Sequence, residues 1–576
     1  MSCFLQCSLV LSFMYSGVLA APSLFGGHAA RASSSSCRCF PGDSCWPSNT
    51  EWSEFNTTLG GKLIATVPIG SVCHHDPFAA YDAEACSSLQ AAWFNEDTHY
   101  GSSSSVMAPF FANQSCDPFL PDTSRCVIGT YIQYAVNASD ATDYQKALEF
   151  GQLHNIRLVI RNTGHDYLGK STGAGALGIW THYMKNIDFL DYTSPNYAGK
   201  AIKLGAGVQG HEAYAAAKAE GLVVVGGNCP TVGIAGGYSQ GGGTGPLGSR
   251  FGMAADQVLE WEVVTASGEL LIATPSNNSD LYWALSGGGG GVYGVVVSMT
   301  SKAHADMPSS AANLTFTNNG VSQDAFWGAV SVFHETLPAI VDAGGVSVWG
   351  FTNASFSMTP TYGPNITASQ MSNLLQPVIQ KLNANNISFT YAVKSYSDFL
   401  SSYDDPTMNP FIATSAIQLG GRIIPRSLVE SNNSALTSAF QKITALGGGF
   451  SGIAMSVGGS PANDNAVNPE WRTALFDAVI YTLFDYTSWE ANLVSQDLIT
   501  DVLIPELATL TPGGGSYLNE ADFRTVDWKD AFYGSNYDAL KSVKDKYDPE
   551  GVFYALTGVG SDAWVEEADG RLCKTS

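Results

Sequence analysis

The chain has 576 residues, a formal net charge of −24 and a pI near 4.6. That length accommodates two or three domains, or one large two-domain enzyme. The strong acidity argues against nucleic acid or an anionic membrane surface as a partner. Beyond the first residues no apolar run approaches the roughly 18 residues of a membrane span.

Residues 1–20, "MSCFLQCSLVLSFMYSGVLA", have the length and small-residue end of a secretory leader, though without a basic start. They point to the secretory pathway, with the medium or the vacuole as destination. Glycosylation sequons begin at Asn56, Asn113, Asn137, Asn277, Asn313, Asn353, Asn365, Asn386 and Asn432. Each is expected to place a sugar on a surface loop. Residues 21–36 are rich in Ala, Ser and Gly and are expected to be disordered. The segment to residue 121 carries most of the cysteines and reads as a disulfide-stapled extension wrapped over the body. Without Cys3 and Cys7, which leave with the leader, the cysteine count is odd, so at least one thiol stays unpaired in a monomer. Cys229 stands far from the others.

From Ser139 the pattern turns periodic. Asp140 is placed to cap a helix with Tyr144, Ala147, Leu148 and Gly151 on one face. "IRLVIR", "ALGIW" and "AIKLGAGV" read as strands, "QGHEAYAAAKAEG" as a helix stopped by Gly221, and "LVVVGG" as another strand. "QVLEWEVVTASGELLIAT" reads as a hairpin turning at Ser267–Gly268. Residues 122–303 thus form one α+β unit. Residues 304–510, with strand-like "VSVWGFT" and helical "SQMSNLLQPVIQKLNAN", form a second domain with an antiparallel sheet covered by helices. Residues 511–576 form an aromatic, charged tail.

Three glycine-rich places expose backbone N–H groups to a large anionic ligand: "RNTGHDYLG" at 161–169, "GGNCPTVGIAGGYSQGGGTG" at 226–245 and "LSGGGGGVYGVVV" at 285–297. Gly289, Gly291 and Gly294 fit G-x-G-x-x-G, but a strand-like run follows where a Rossmann site needs a helix. A P-loop lacks its Lys, and no His/Glu cluster has zinc-protease spacing. Taken alone, His165 is a turn histidine and Cys229 a buried thiol or half of a long-range disulfide.

Together these motifs resemble the berberine-bridge-enzyme branch of the vanillyl-alcohol-oxidase superfamily of PCMH-type FAD-linked oxidoreductases. The resemblance extends to "LEWEVVTASGELL" and "KYDPEGVFYALTGVGSDAW". The cysteine-rich start is similar to secreted fungal members, including those called isoamyl alcohol oxidases. The resemblance implies an α+β fold with a PCMH-type FAD-binding domain, and FAD held bicovalently through His165 to the 8α carbon and Cys229 to C6. Eight cysteines would then remain to pair, in any of 105 ways. It further implies that Arg161, Asn162, Thr163 and Gly164 wrap the diphosphate. Val232, Gly233, Gly236, Tyr238, Gly242, Gly243 and Gly245 would cover the flavin, with Val295 and Asn536 beside it. Tyr238 stands where plant relatives have histidine. Tyr517 in "YLNE" is carried over as the catalytic base; otherwise the base is a carboxylate of the 304–510 domain.

The expected reaction oxidises an alcohol or related carbon of a small molecule, with a hydride passing to flavin N5 and O2 as acceptor. The other readings are a dehydrogenase with a different acceptor and a non-catalytic flavin-binding glycoprotein.

Overall fold

The computed structural model describes residues 37–78, 80–409, 413–414, 416–459 and 465–575. The expected leader and the Ala/Ser/Gly-rich stretch lie outside them.

Near the N-terminus, β1 (Leu63–Ala65), β2 (Tyr134–Asn137), β3 (Leu158–Arg161) and β4 (Leu177–Trp180) form a sheet in the order β1-β2-β4-β3. The β2, β4 and β3 strands run parallel. The helix Ala141–Leu153 links β2 to β3, and the Asp140 carboxylate accepts from the N–H groups of Thr142 and Asp143, as the sequence predicts. Tyr144, Ala147 and Leu148 are buried on one face of that helix. The cysteine-rich segment is woven into this unit. It supplies the edge strand β1, and its Trp52, Phe55 and Leu59 share a core with Val136, Leu148 and Leu158.

Seven further strands follow: β5 (Ile187–Ser194), β6 (Tyr197–Gly205), β7 (Leu222–Val223), β8 (Val258–Val264), β9 (Leu270–Ala273), β10 (Val295–Lys302) and β11 (His304–Ala305). Five of them make an antiparallel sheet in the order β5-β6-β10-β8-β9, while β7 pairs with β11. The hairpin β8–β9 turns at Ser267–Gly268, where Gly268 takes φ +79°. The strand expected over "LVVVGG" is only two residues long, because its continuation turns into the glycine loop that carries Cys229. After the third glycine run comes β10, so the structure also lacks the helix that a Rossmann site needs.

The second sheet-based unit has β12 (Ser309–Thr317), β13 (Val346–Phe351), β14 (Ser355–Pro364), β15 (Phe389–Tyr396), β16 (Ile417–Pro425), β17 (Gly449–Ala454) and β18 (Ala474–Leu483). They form an antiparallel sheet in the order β15-β12-β14-β13-β17-β18-β16. Helices Gln323–Asp342, Ala368–Ala384 and Arg426–Ala445 pack on one face, with Phe333, Leu375 and Phe440 meeting Trp349, Phe450 and Phe476. The period of two in a strand sends alternate residues to the other face. There Ile423 and Ile453 pack with Met253, Trp471 and Tyr517.

Four disulfides join Cys37–Cys573, Cys39–Cys45, Cys73–Cys86 and Cys116–Cys126, leaving Cys229 free. The first ties the N-terminal segment to the chain's end across 536 residues. No helix among the described residues is long and apolar enough to cross a membrane. The sequons are not all on loops. Asn56 lies in the helix Asn49–Thr58, Asn137 in β2, Asn313 in β12 and Asn432 in the helix Arg426–Ala445. Asn56, Asn137 and Asn313 are also half-buried, because their side chains brace neighbouring backbone or face the sheet.

Candidate functional site

The loop after β3 and the glycine-rich loop after β7 fold against each other. Gly233 and Gly236 let them meet: a Cβ at Gly233 would stand 2.3 Å from the Asn162 amide oxygen, and one at Gly236 would stand 3.0 Å from its nitrogen. A Cβ on Gly245 would lie 1.9 Å from the Gly226 carbonyl oxygen, so the neck of the long loop admits glycine alone. Tyr238 spans that loop, its hydroxyl donating to the Thr244 carbonyl at 2.9 Å. Tyrosines pin the Cys229 end. Tyr214 donates to the Gly227 carbonyl at 2.8 Å, Tyr403 to the Asn228 carbonyl at 2.9 Å and Tyr362 to the Asn228 amide at 2.7 Å.

This closure sets His165 beside Cys229, with His165 Nε2 4.0 Å from Cys229 Sγ and 2.7 Å from Thr231 Oγ1. A third group arrives from the cysteine-rich segment. Glu96, 4% exposed, accepts from the Cys229 thiol at 2.7 Å on one oxygen and from the Thr231 hydroxyl on the other. Burial raises the Glu96 carboxyl above its ordinary range. Burial and then the Glu96 charge push the Cys229 thiol up. His165 is pushed down to about 3 by burial and by the neighbouring His99 and Arg161. The imidazole is therefore neutral, and the thiol keeps its proton.

Glu96 opens the short helix Glu96–Tyr100, which is tied down on both sides. His99 bridges the Trp93 carbonyl and the Ser105 hydroxyl, and Trp93 Nε1 donates to Tyr486 Oη at 2.8 Å. Arg161 Nη2 donates to the His99 carbonyl at 3.1 Å.

The described residues match two families: "FAD binding domain" over 132–274 and "Berberine and berberine like" over 516–560. The chain is 52% identical over 557 residues to "FAD-linked oxidoreductase sor8" of Hypocrea jecorina (strain QM6a), covering 96% of each. It is 48% identical over 554 residues to "FAD-linked oxidoreductase patO" of Penicillium expansum, covering 94% and 95%. The crystal structure of the VAO-type flavoprotein MtVAO615 from Myceliophthora thermophila C1 superimposes with a TM-score of 0.90 at 43% identity, covering 94% of this chain and all of that one. The chain belongs to the vanillyl-alcohol-oxidase family of FAD-linked oxidoreductases, in its berberine-like branch. It is an FAD-dependent oxidoreductase with an α+β, PCMH-type fold.

The residues present fit FAD. Arg161 is fully buried, yet its Nε and Nη1 have no partner, and the Asn162 amide oxygen beside it is likewise unpaired. Buried polar groups are rarely left so, and an anionic group among them satisfies the guanidinium. Thr163 is buried, and Gly164 takes φ +87°, where a Cβ would strike the Arg161 guanidinium. Gly242 and Gly243 also take positive φ, and their carbonyls accept from Ala255 and Ala254. The Val232 carbonyl accepts from Gly210. Two expected residues stand apart from the His165–Cys229 group. Val295 begins β10 with its side chain in the core beside Val264 and Tyr144. Asn536 donates to the carbonyls of Ala466 and Val467.

Tyr517 lies in a second cluster. Its ring is 2% exposed and packs edge-on against Trp471. Its hydroxyl oxygen accepts from Gly243 N–H at 3.1 Å and from Asn519 Nδ2 at 3.0 Å. Burial and the Glu520 charge push this phenol up, against the pull of those two donors. Glu520 lies close over β16, where a Cβ on Gly421 would come 2.0 Å from the Glu520 carbonyl. Asp477, opposite Ile423 and Ile453 in β18, points to the same face and is fully buried. Its carboxyl faces that of Glu520. Burial raises Glu520 to about 7 against the pull of its hydrogen bond with Asp477, and burial drives Asp477 well upward, where the adjacent Glu520 carboxylate adds to the effect. Burial pushes up the Tyr167 phenol, from the His165 loop, and the charges of Glu520 and Glu96, one from each cluster, add to the effect.

Sequence reasoning missed Glu96, Thr231 and Glu520 as site members, and left Asp477 unnamed among the carboxylates of residues 304–510. Thr231 and Glu520 lie inside quoted motifs and were within reach. Glu96 and Asp477 carry no local signal.

Proposed function

We propose that this chain is a secreted oxidase that attaches FAD through both His165 and Cys229 and oxidises an alcohol or related carbon of a small secondary-metabolite intermediate. The reading rests above all on the 4.0 Å approach of His165 Nε2 to Cys229 Sγ inside a glycine-lined fold of an FAD-linked family. The flavin 8α carbon and C6 lie on one edge of the same ring, so a histidine and a thiol side by side suit both. When bound, FAD supplies the hydride acceptor at N5 and passes electrons to O2. The protein orients the substrate and takes its proton.

Tyr517 is the group proposed to meet that proton. Its oxygen already accepts two hydrogen bonds, which favour a developing phenolate. Glu520, raised by burial to about 7 and facing the buried Asp477, is the reservoir beside it. Arg161 to Gly164 bind the diphosphate, and the loop from Val232 to Gly245 covers the flavin. The leader, the sequons and the four disulfides support passage through the secretory pathway to the medium or the vacuole.

The decisive experiment mixes purified yellow protein anaerobically with a panel of alcohols, sugars and pathway-type intermediates, then admits air. Bleaching followed by peroxide supports an oxidase. Bleaching that only an added dye reverses identifies a dehydrogenase. No bleaching by any candidate favours a flavin-binding glycoprotein without turnover.

A further inference from the structure

Glu96 has an arrangement that substrate oxidation does not require. It is buried, it comes from the cysteine-rich segment, and each of its two oxygens holds a different nucleophile. One accepts the Cys229 S–H and the other the Thr231 O–H. A hydroxyl has one proton. Because Thr231 gives that proton to Glu96, its oxygen receives the His165 Nε2 contact as an acceptor. His165 is therefore held as the Nε2–H tautomer, with the lone pair on Nδ1. The depressed basicity of His165 keeps that lone pair free of a proton.

We propose that Glu96 primes the chain for its own flavin attachment. It takes the Cys229 proton as sulfur bonds to flavin C6, and through Thr231 it fixes the His165 tautomer that presents Nδ1 to the 8α carbon. Toward Cys229 it is a catalytic base, and toward His165 a positioning residue. The inference rests on the bicovalent reading above.

The step at Cys229 balances as follows. The S–H bond breaks and its proton goes to Glu96. The S–C6 bond forms, and an electron pair enters the flavin ring. The C6–H bond then gives up its proton to solvent as O2 withdraws two electrons. The net change is one thiol hydrogen and one ring hydrogen lost, with O2 reduced to hydrogen peroxide. A buried thiol needs such a base, since burial and the adjacent charge both oppose a free thiolate. Glu96 is apt because burial also raises its own proton affinity.

The test uses the full-length secreted protein and reads covalent flavin rather than turnover. Wild type, Glu96→Gln and Glu96→Asp are sampled at set times after synthesis. Peptides containing His165 and Cys229 are weighed for flavin mass, and free Cys229 is counted by alkylation. Gln keeps an acceptor of similar shape but cannot take the proton, so attachment at Cys229 should slow about 10²–10⁴-fold, the usual general-base contribution. Attachment at His165 should persist in the Gln variant, with a smaller loss. Asp keeps a carboxyl one methylene shorter and should fall between the other two. Equal attachment at Cys229 in all three overturns the proposal. If Gln does not accumulate folded, attachment at the wild-type rate in Asp overturns it instead. Wild type with no flavin on Cys229, including a form that carries zinc on this trio, defeats the bicovalent reading itself, which is a distinct outcome.

Discussion

His165 and His334 are both pushed down to about 3, His334 by burial alone and His165 by burial together with His99 and Arg161. Their surroundings otherwise have little in common. His334, in the helix Gln323–Asp342, is fully buried among Trp349, Phe351, Phe440 and Phe476, and neither ring nitrogen has a partner. His165 sits among a threonine, a thiol and a carboxylate. Desolvation keeps both rings neutral, but only neighbours with protons to exchange give a neutral imidazole a direction. The helix-covered sheet uses His334 as filler. The glycine loops set His165 against Thr231 and Cys229, which on the proposed reading orient it as a nucleophile.

The sharpest way to break this contrast is to replace His165 and Cys229 together with Ala. All flavin should then leave the protein on acid precipitation, whereas wild type should keep it. Residual in-gel fluorescence in the double variant would place a tether elsewhere. Next in size is Tyr517→Phe. It removes one oxygen and little volume, so the fold and bound flavin should stay. Anaerobic stopped-flow should show flavin reduction slowed by about 10²–10⁴. Near-normal reduction would move the base to the Glu520–Asp477 pair.

Glu520 tests the same cluster through pH. Its folded-state proton affinity, near 7, lies above the ordinary carboxylate value of 4.5. The stability it contributes is therefore full below about 4.5 and lost as pH rises through about 7. Glu520→Gln stays neutral throughout. The Tm of the variant relative to wild type should climb by a few degrees from pH 5 to pH 8. A gap that does not change with pH would remove Glu520 as the titrating group.

The smallest effect is expected at the other histidine. His334→Leu removes two unpaired buried nitrogens, each costing about 1–3 kcal/mol when unsatisfied. Unfolding in urea should show equal or greater stability, with flavin attachment unchanged. A loss of flavin would mean that the two regions are coupled after all.

The sequence by itself determined what short-range physics writes locally. The cap at Asp140, the apolar face behind it, the turn at Gly268 and the strand after the third glycine run all follow from spacing and from what glycine permits. Cysteine parity required one unpaired thiol in a monomer without saying which, and the motif around Cys229 pointed to it and to the family. Tertiary structure decided what depends on distant segments meeting. Four particular disulfides were chosen from 105 pairings. Asn137 and Asn313 went into strands, where a sequon alone suggested loops. Asp477 joined Glu520 because alternation in β18 turned it to the site face. Glu96 reached Cys229 across 133 residues. No local pattern encodes such a meeting, because a carboxylate acquires its role only from the burial and the partners that the folded chain brings to it.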